Sequence, residues 1–246
     1  MSLLTKLLFP PRCAACGSLL DWYRTQDTDA LCPTCLCEWE SAKDVTCGIC
    51  GSRVTLCACV TEEMRKAKCT AFRKLNYYHG GTRDRVQNRV IFHIKESRDA
   101  RAFGFLAKEL SDTILSLTAE SCGEAVLTYV PRGRSAKLEY GTDQAEQLAK
   151  ALARVSGLPC QRLIRRSRRR APEQKELSAT ARKKNAKAAF SLMRNADVRG
   201  RNVILVDDIV TTGNTVSACT RLLRCAGAKS VYCVAVASDD VNHEMT

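Results

Sequence analysis

Residues 203-VILVDDIVTTGNT-215 set four apolar positions, two adjacent acids and a small polar turn in one short run. The apolar tetrad reads as a strand buried on both faces. It leads into 215-TVSACTRLLRCAGA-228, an amphipathic helix with Gly227 near its C-cap, and then into a second buried strand, 231-VYCVAVA-237. Strand, helix and strand in that order predict an α/β fold with a largely parallel sheet flanked by helices. In such sheets ligands sit beyond the carboxyl ends of the strands, where helix N-termini present free amides. Asp207 and Asp208 are expected there, and Thr211, Thr212, Gly213, Asn214 and Thr215 offer consecutive backbone donors, hydroxyls and a glycine that lets an anion approach the main chain. The pattern reads as a phosphate cradle. An apolar strand ending in two acids also suits the metal-binding strand of a P-loop nucleotidase, but the chain contains no G-x-x-x-x-G-K-[ST].

The same alternation extends toward the N-terminus. A strand is expected over 125-AVLTYV-130, ended by Pro131, and a helix over 143-DQAEQLAKALARVSG-157, closed by Gly157. Val86, Val90, Ile91 and Ile94 share one helical face, and 103-FGFLAKELSDTILSL-117 forms a second amphipathic helix.

The first sixty residues differ in kind. They carry 13-CAACG-17, 32-CPTC-35, 47-CGICG-51 and 57-CAC-59, with few apolar residues between, so they cannot bury enough surface to fold alone. Cysteines two residues apart curl around a tetrahedral ion, and a following glycine, here Gly17 and Gly51, allows the tight turn. Four pairs make two sites of four thiolates, closed to water and therefore structural zinc; an iron–sulfur cluster is the rival. Chain order groups Cys13, Cys16, Cys32 and Cys35, then Cys47, Cys50, Cys57 and Cys59, although an interleaved pairing satisfies the same spacing. The other seven of the 15 cysteines read as small buried thiols. Residues 1–9 read as a short docking helix rather than a signal peptide, and no run has the length to cross a bilayer, so a cytoplasmic protein is expected. The chain divides into a double zinc-ribbon module over 1–62, a linker over 63–74 and the α/β domain over 75–246.

The formal net charge of +13 over 246 residues points to phosphate-bearing partners. The segment 203–215 resembles the phosphoribosyl pyrophosphate (PRPP) loop of type I phosphoribosyltransferases. With the cysteine pairs ahead of it, Tyr78 and Gly80, Ile94-Lys95, Val130-Pro131, Gly141, Gln144-Ala145, Gln174, Leu177, Arg182, Asn185 and Ala189-Phe190, the chain resembles the ComF family of competence-associated proteins over nearly its whole length. The resemblance implies a type I phosphoribosyltransferase-like sheet and PRPP, or another ribose 5-phosphate ligand, as partner. Asp207 and Asp208 would accept from the ribose hydroxyls, residues 211–215 would hold the 5′-phosphate, and Arg132, Gly133 and Arg134 would meet the pyrophosphate, with magnesium bridging its oxygens. It also implies that 162–190, with six arginines in 162–170, forms a hood over the site, Arg182 included. The stretch usually read R-G-F-N-Q is here Tyr140-Gly141-Thr142-Asp143-Gln144, so Asp143 brings a negative charge where an anion would lie.

Two roles follow from the resemblance: a PRPP-binding protein of DNA uptake working with other DNA-processing proteins, or an active transferase that moves ribose 5-phosphate from PRPP to a base-like acceptor. No acid–base dyad is visible, and His79 and His93 read as packing or surface residues. Single-stranded DNA is the implied polymer partner. Stacking would fall to Trp22, Trp39, Phe72, Tyr77 and Tyr78 in a chain only 6% aromatic, so contacts to phosphate, without sequence preference, are expected to dominate.

Overall fold

The computed structural model describes residues 8–21, 29–80, 82–119, 125–133, 143–167 and 189–239. Among these, the chain runs α1 (Pro33–Lys43), α2 (Glu62–Lys66), β1 (Ala71–Tyr78), α3 (Val86–Glu96), α4 (Ala100–Ala119), β2 (Ala125–Tyr129), α5 (Gln144–Ser156), β3 (Ile164–Arg166), β4 (Phe190–Leu192), β5 (Asn202–Val210), α6 (Asn214–Cys225) and β6 (Ser230–Asp239). Strands β1, β6, β5 and β2, in that spatial order, form a parallel sheet, and β3 and β4 form a separate antiparallel pair. No helix among the described residues is long and apolar enough to cross a membrane.

The period of two along β5 divides its side chains between two cores. Ile204 and Val206 pack with α3, α4 and α5, whereas Val203 and Leu205 pack with Val216, Cys219 and Leu223 of α6. Helix α5 starts where the Asp143 carboxylate accepts the Glu146 N–H at 3.4 Å and stops at Gly157, which takes a left-handed φ of 73°. The two helices that follow the adjacent strands β2 and β5 therefore lie on opposite faces of the sheet. That reversal opens a crevice at the carboxyl ends of β2 and β5.

Two stretches differ from expectation. Strand β5 does not end at Val206 but runs to Val210, with Asp207 level with Ala235 and Ile209 level with Ala237, because β6 supplies backbone partners that far. The stretch 63–74 contains most of α2 and the start of β1, an edge strand paired along its length with β6.

The N-terminal module is built from one turn used twice. The Cys13 amide donates to Ser18 O and the Gly17 amide to Cys13 O; likewise Cys47 to Ser52 O and Gly51 to Cys47 O, with φ of 76° at Gly17 and 68° at Gly51. Four sulfurs converge at each turn, those of Cys13, Cys16, Cys32 and Cys35 and those of Cys47, Cys50, Cys57 and Cys59, each set within 4.8 Å of one another. The grouping follows chain order. The Cys16–Cys32 sulfur separation of 3.7 Å fits the edge of about 3.8 Å of a tetrahedron with Zn–S bonds of about 2.3 Å. A hydrogen bond to Ser18 holds the Cys16 thiol down at about 6. Burial pushes the Cys47 thiol up, but the Cys50 backbone and the Tyr77 hydroxyl more than offset it and hold it at about 6, so each set has a thiolate ready for a cation.

A filled set of four thiolates carries excess negative charge, and the α/β domain offsets it at both sites. Lys74 Nζ, on β1 and 3% exposed, donates to Cys57 Sγ at 3.6 Å, and the charge of the Arg89 guanidinium of α3 acts on Cys35. Trp39 of α1 is fully buried, edge-on to Phe105 at 5.4 Å, and donates to Glu109 Oε2 at 2.9 Å. The module thus docks on α3, α4 and β1 through an apolar anchor and two cations. Metal analysis of the purified chain is expected to give two zinc ions, falling to one in Cys16→Ser and in Cys50→Ser. Iron with absorbance between about 300 and 450 nm, or no metal, would overturn this assignment.

Candidate functional site

The register of β2 on β5 sets Tyr129 level with Val206, so the residues that follow each strand face one another across the crevice. Arg132 reaches over from the β2 side and its Nη2 donates to the Asp208 carboxylate. Asp207 and Asp208 are 8% and 6% exposed, and the Asp207 carboxylate accepts the Asp208 N–H at 3.0 Å. Burial, reinforced by the neighbouring Asp208 charge, holds the Asp207 carboxyl well above its ordinary value of 3.8. Burial thus favours the neutral form of Asp207, while Asp208 has a guanidinium partner, an arrangement that lets two carboxyls share a nearly dry site.

The turn beyond them is open. Thr211, Thr212, Asn214 and Thr215 are exposed, and Gly213 begins α6 with a φ of 74°. Free amides of the first turn of α6 and the positive end of its dipole lie here, beside the buried acids.

Two further cations stand at or near the same place. Lys95, at the end of α3, lies over the Tyr78 ring at 5.7 Å; burial pushes its pKa down, while the charges of Asp208 and Asp207 oppose that shift. It follows directly on the buried Ile94, a pair that the sequence marked only through the family resemblance. Arg166, where β3 pairs with Phe190 of β4, lies against Gly133: a Cβ there would stand 3.6 Å from Arg166 Nη1. Of the residues expected at the pyrophosphate, Arg132 and Gly133 border the crevice. Arg134 and Arg182, with the segment 168–188, lie outside the described residues.

Asp143 is not poised against an anion. It is 4% exposed, caps α5, and accepts the Arg132 N–H at 3.1 Å, so its charge fastens the turn that carries Arg132. Three aromatics expected to stack bases are buried: Trp39, Phe72 and Tyr77 are 0%, 2% and 4% exposed. Their faces serve the core, and Trp22 lies outside the described residues. A groove of about 680 Å³ between α1 and the β1–α3 turn, lined by Thr34, Glu38, Tyr77 and His79 among others, is separate from the acids.

The raised pKa of Asp207 has a definite sign for stability. Folding favours its protonated form, so the group stabilises the chain below the ordinary carboxylate pKa, and that contribution is lost as pH rises toward the folded value. Asp207→Asn keeps the acceptor for the Asp208 N–H and removes the buried ionisation. It is expected to raise the Tm of the ligand-free chain by about 3 °C or more at pH 8, ~1 kcal/mol for a chain of this size, and by little at pH 4. A Tm difference that stays constant across this range would contradict the reading.

The profile of the phosphoribosyl transferase domain matches residues 142–245. Competence protein F of Haemophilus influenzae is 34% identical over 109 residues, 44% of this chain and 47% of that protein. DNA utilization protein YhgH of Escherichia coli K12 is 39% identical over 105 residues, 42% of this chain and 44% of that protein. The chain therefore matches about half the length of these curated relatives. A solved structure described as the allosteric regulatory enzyme of purine biosynthesis superposes with a TM-score of 0.40 at 24% identity, over 61% of this chain and 30% of that one. The domain profile and the two sequence relatives, beside the two cysteine tetrads ahead of the α/β fold, support the resemblance to ComF-family phosphoribosyltransferase-like proteins.

Proposed function

We propose that the chain binds PRPP with magnesium at the β2–β5 crevice and serves DNA uptake through this ligand-binding domain. The observation that carries the reading is the juxtaposition of Asp207-Asp208, the open 211–215 turn and Arg132 on the facing strand end. The 5′-phosphate rests on the amides and hydroxyls of 211–215. Ribose hydroxyls donate to Asp208 and exchange hydrogen bonds with Asp207, whose protonated form can donate as well as accept. Magnesium screens the pyrophosphate oxygens when the ligand is bound.

In the ligand-free chain Arg132 occupies the acceptor that the sugar needs. Binding therefore transfers the guanidinium from Asp208 to the pyrophosphate, which offers bidentate oxygens and greater charge. Ribose 5-phosphate alone has no second anion to attract it and must break the ion pair uncompensated. The backbone N–H of Arg132, already taken by Asp143, is not available to the pyrophosphate, which favours ligand binding over efficient turnover.

Calorimetry with PRPP and magnesium is expected to give binding in the wild type and none in the Asp207→Asn/Asp208→Asn double variant. Arg132→Met should weaken PRPP and strengthen ribose 5-phosphate, each by about tenfold, ~1.4 kcal/mol. Equal weakening of both ligands would sink the exchange, and no PRPP binding by the wild type would sink the function.

The names of the relatives, a competence protein and a DNA utilization protein, support a role beside single-stranded DNA. With Trp39, Phe72 and Tyr77 buried, binding rests on phosphate contacts of a strongly basic chain. Affinity for an oligonucleotide is expected to fall at least about a hundredfold between 50 and 200 mM salt, with no preference among base compositions. An affinity that is flat with salt would contradict it.

A further inference from the structure

Gly213, at the centre of the phosphate loop, is covered from outside its own domain. A Cβ added to it would stand 2.5 Å from Thr61 Oγ1 and 3.1 and 3.2 Å from Cγ and Sδ of Met64. Thr61 and Met64 therefore occupy the volume in which any other residue would carry its side chain. Both belong to the exit from the cysteine-rich module: Thr61 lies two residues beyond Cys59 and caps α2, and Met64 is fully buried on that helix beside Val216 and Cys219 of α6.

Their position is fixed from two directions. The Thr61 hydroxyl accepts the Met64 backbone N–H at 3.3 Å, which fixes the Thr61 side chain against the first turn of α2. Upstream, Cys57 and Cys59 belong to the second sulfur set, Lys74 holds Cys57, and the Arg73 guanidinium donates to Leu56 O at 2.7 Å. The chain from the metal set to the loop is thus short and tethered at both ends. Without the ion, four crowded sulfurs lose the tie that sets where residue 61 falls.

We infer that Thr61 and Met64 are positioning residues for the phosphate loop, holding it in its binding form while the Cys47–Cys59 set is filled. The inference rests on the proposed PRPP site and deepens it. Metal occupancy and sugar-phosphate affinity are then linked in both directions, since a coupling free energy between two sites is reciprocal. The Cys13–Cys35 set, which docks on α3 and α4 instead, has no such link.

The test titrates ribose 5-phosphate and, separately, inorganic pyrophosphate with magnesium into zinc-loaded wild type, Thr61→Ala, Thr61→Ser and Met64→Leu, with folding checked by circular dichroism. Thr61→Ala is expected to weaken ribose 5-phosphate by about tenfold, a factor typical of coupled sites, and to leave pyrophosphate unchanged. Thr61→Ser, which keeps the capping oxygen, restores wild-type affinity, and Met64→Leu falls between. In a second arm, ribose 5-phosphate slows release to a chromogenic chelator of one zinc of the two, and Thr61→Ala abolishes the slowing. Should Thr61→Ala bind ribose 5-phosphate as the wild type does, or zinc release ignore the ligand, the coupling is refuted while the PRPP site stands. A wild type that binds neither probe refutes the coupling, and one that binds no PRPP either removes both.

Discussion

Two neighbouring carboxyls, each under a tenth exposed at the end of a strand buried on both faces, cannot both remain ionised without a cation within reach. Burial and the Asp208 charge push the Asp207 carboxyl toward its neutral form, and Asp208 pairs with Arg132. The local architecture follows from this constraint. Helices α5 and α6 leave adjacent strands on opposite faces, which opens the crevice, and Asp143 takes the Arg132 N–H, which fixes the turn from which the guanidinium reaches across. Under the proposed function, such a site stores an unfavourable burial that an incoming sugar with two hydroxyls and a pyrophosphate would relieve, linking ligand affinity to local stability.

The N-terminal module solves a different problem with related means. Too small for a core of its own, it is held by two sets of thiolates, an apolar anchor at Trp39 and counter-charges from the larger domain. Lys74 explains why a lysine can stand 3% exposed in a sheet strand: its partner is a sulfur of the neighbouring module. The second cysteine set and the sheet are therefore parts of one packing unit, and the exit of the module reaches the back of Gly213.

Much of this was legible before any coordinates. The helices α3, α4, α5 and α6 follow from apolar spacing and from caps at Asp143 and Gly157, and the cysteine spacings already outlined two four-sulfur sites. What escaped was set by distant neighbours. Strand β1 was hidden because Arg73, Lys74 and Asn76 break its apolar run, and Arg73 and Lys74 are accounted for by contacts to Leu56 and Cys57 of the N-terminal module. The true end of β5 depends on the length of β6. Composition counted Trp39, Phe72 and Tyr77 as aromatic surface, whereas each is a core residue, and Lys95 comes to the acids, and Arg166 to Gly133, only through the packing of α3 and the β3–β4 pair.

The most direct test of the central claim is the electron density of crystals grown with PRPP and magnesium. The account predicts a phosphate against the amides of 211–215, ribose hydroxyls within hydrogen-bond distance of Asp207 and Asp208, and the Arg132 guanidinium moved from Asp208 onto the pyrophosphate. Density in the groove between α1 and α3 instead, with the Arg132–Asp208 pair undisturbed, would contradict it.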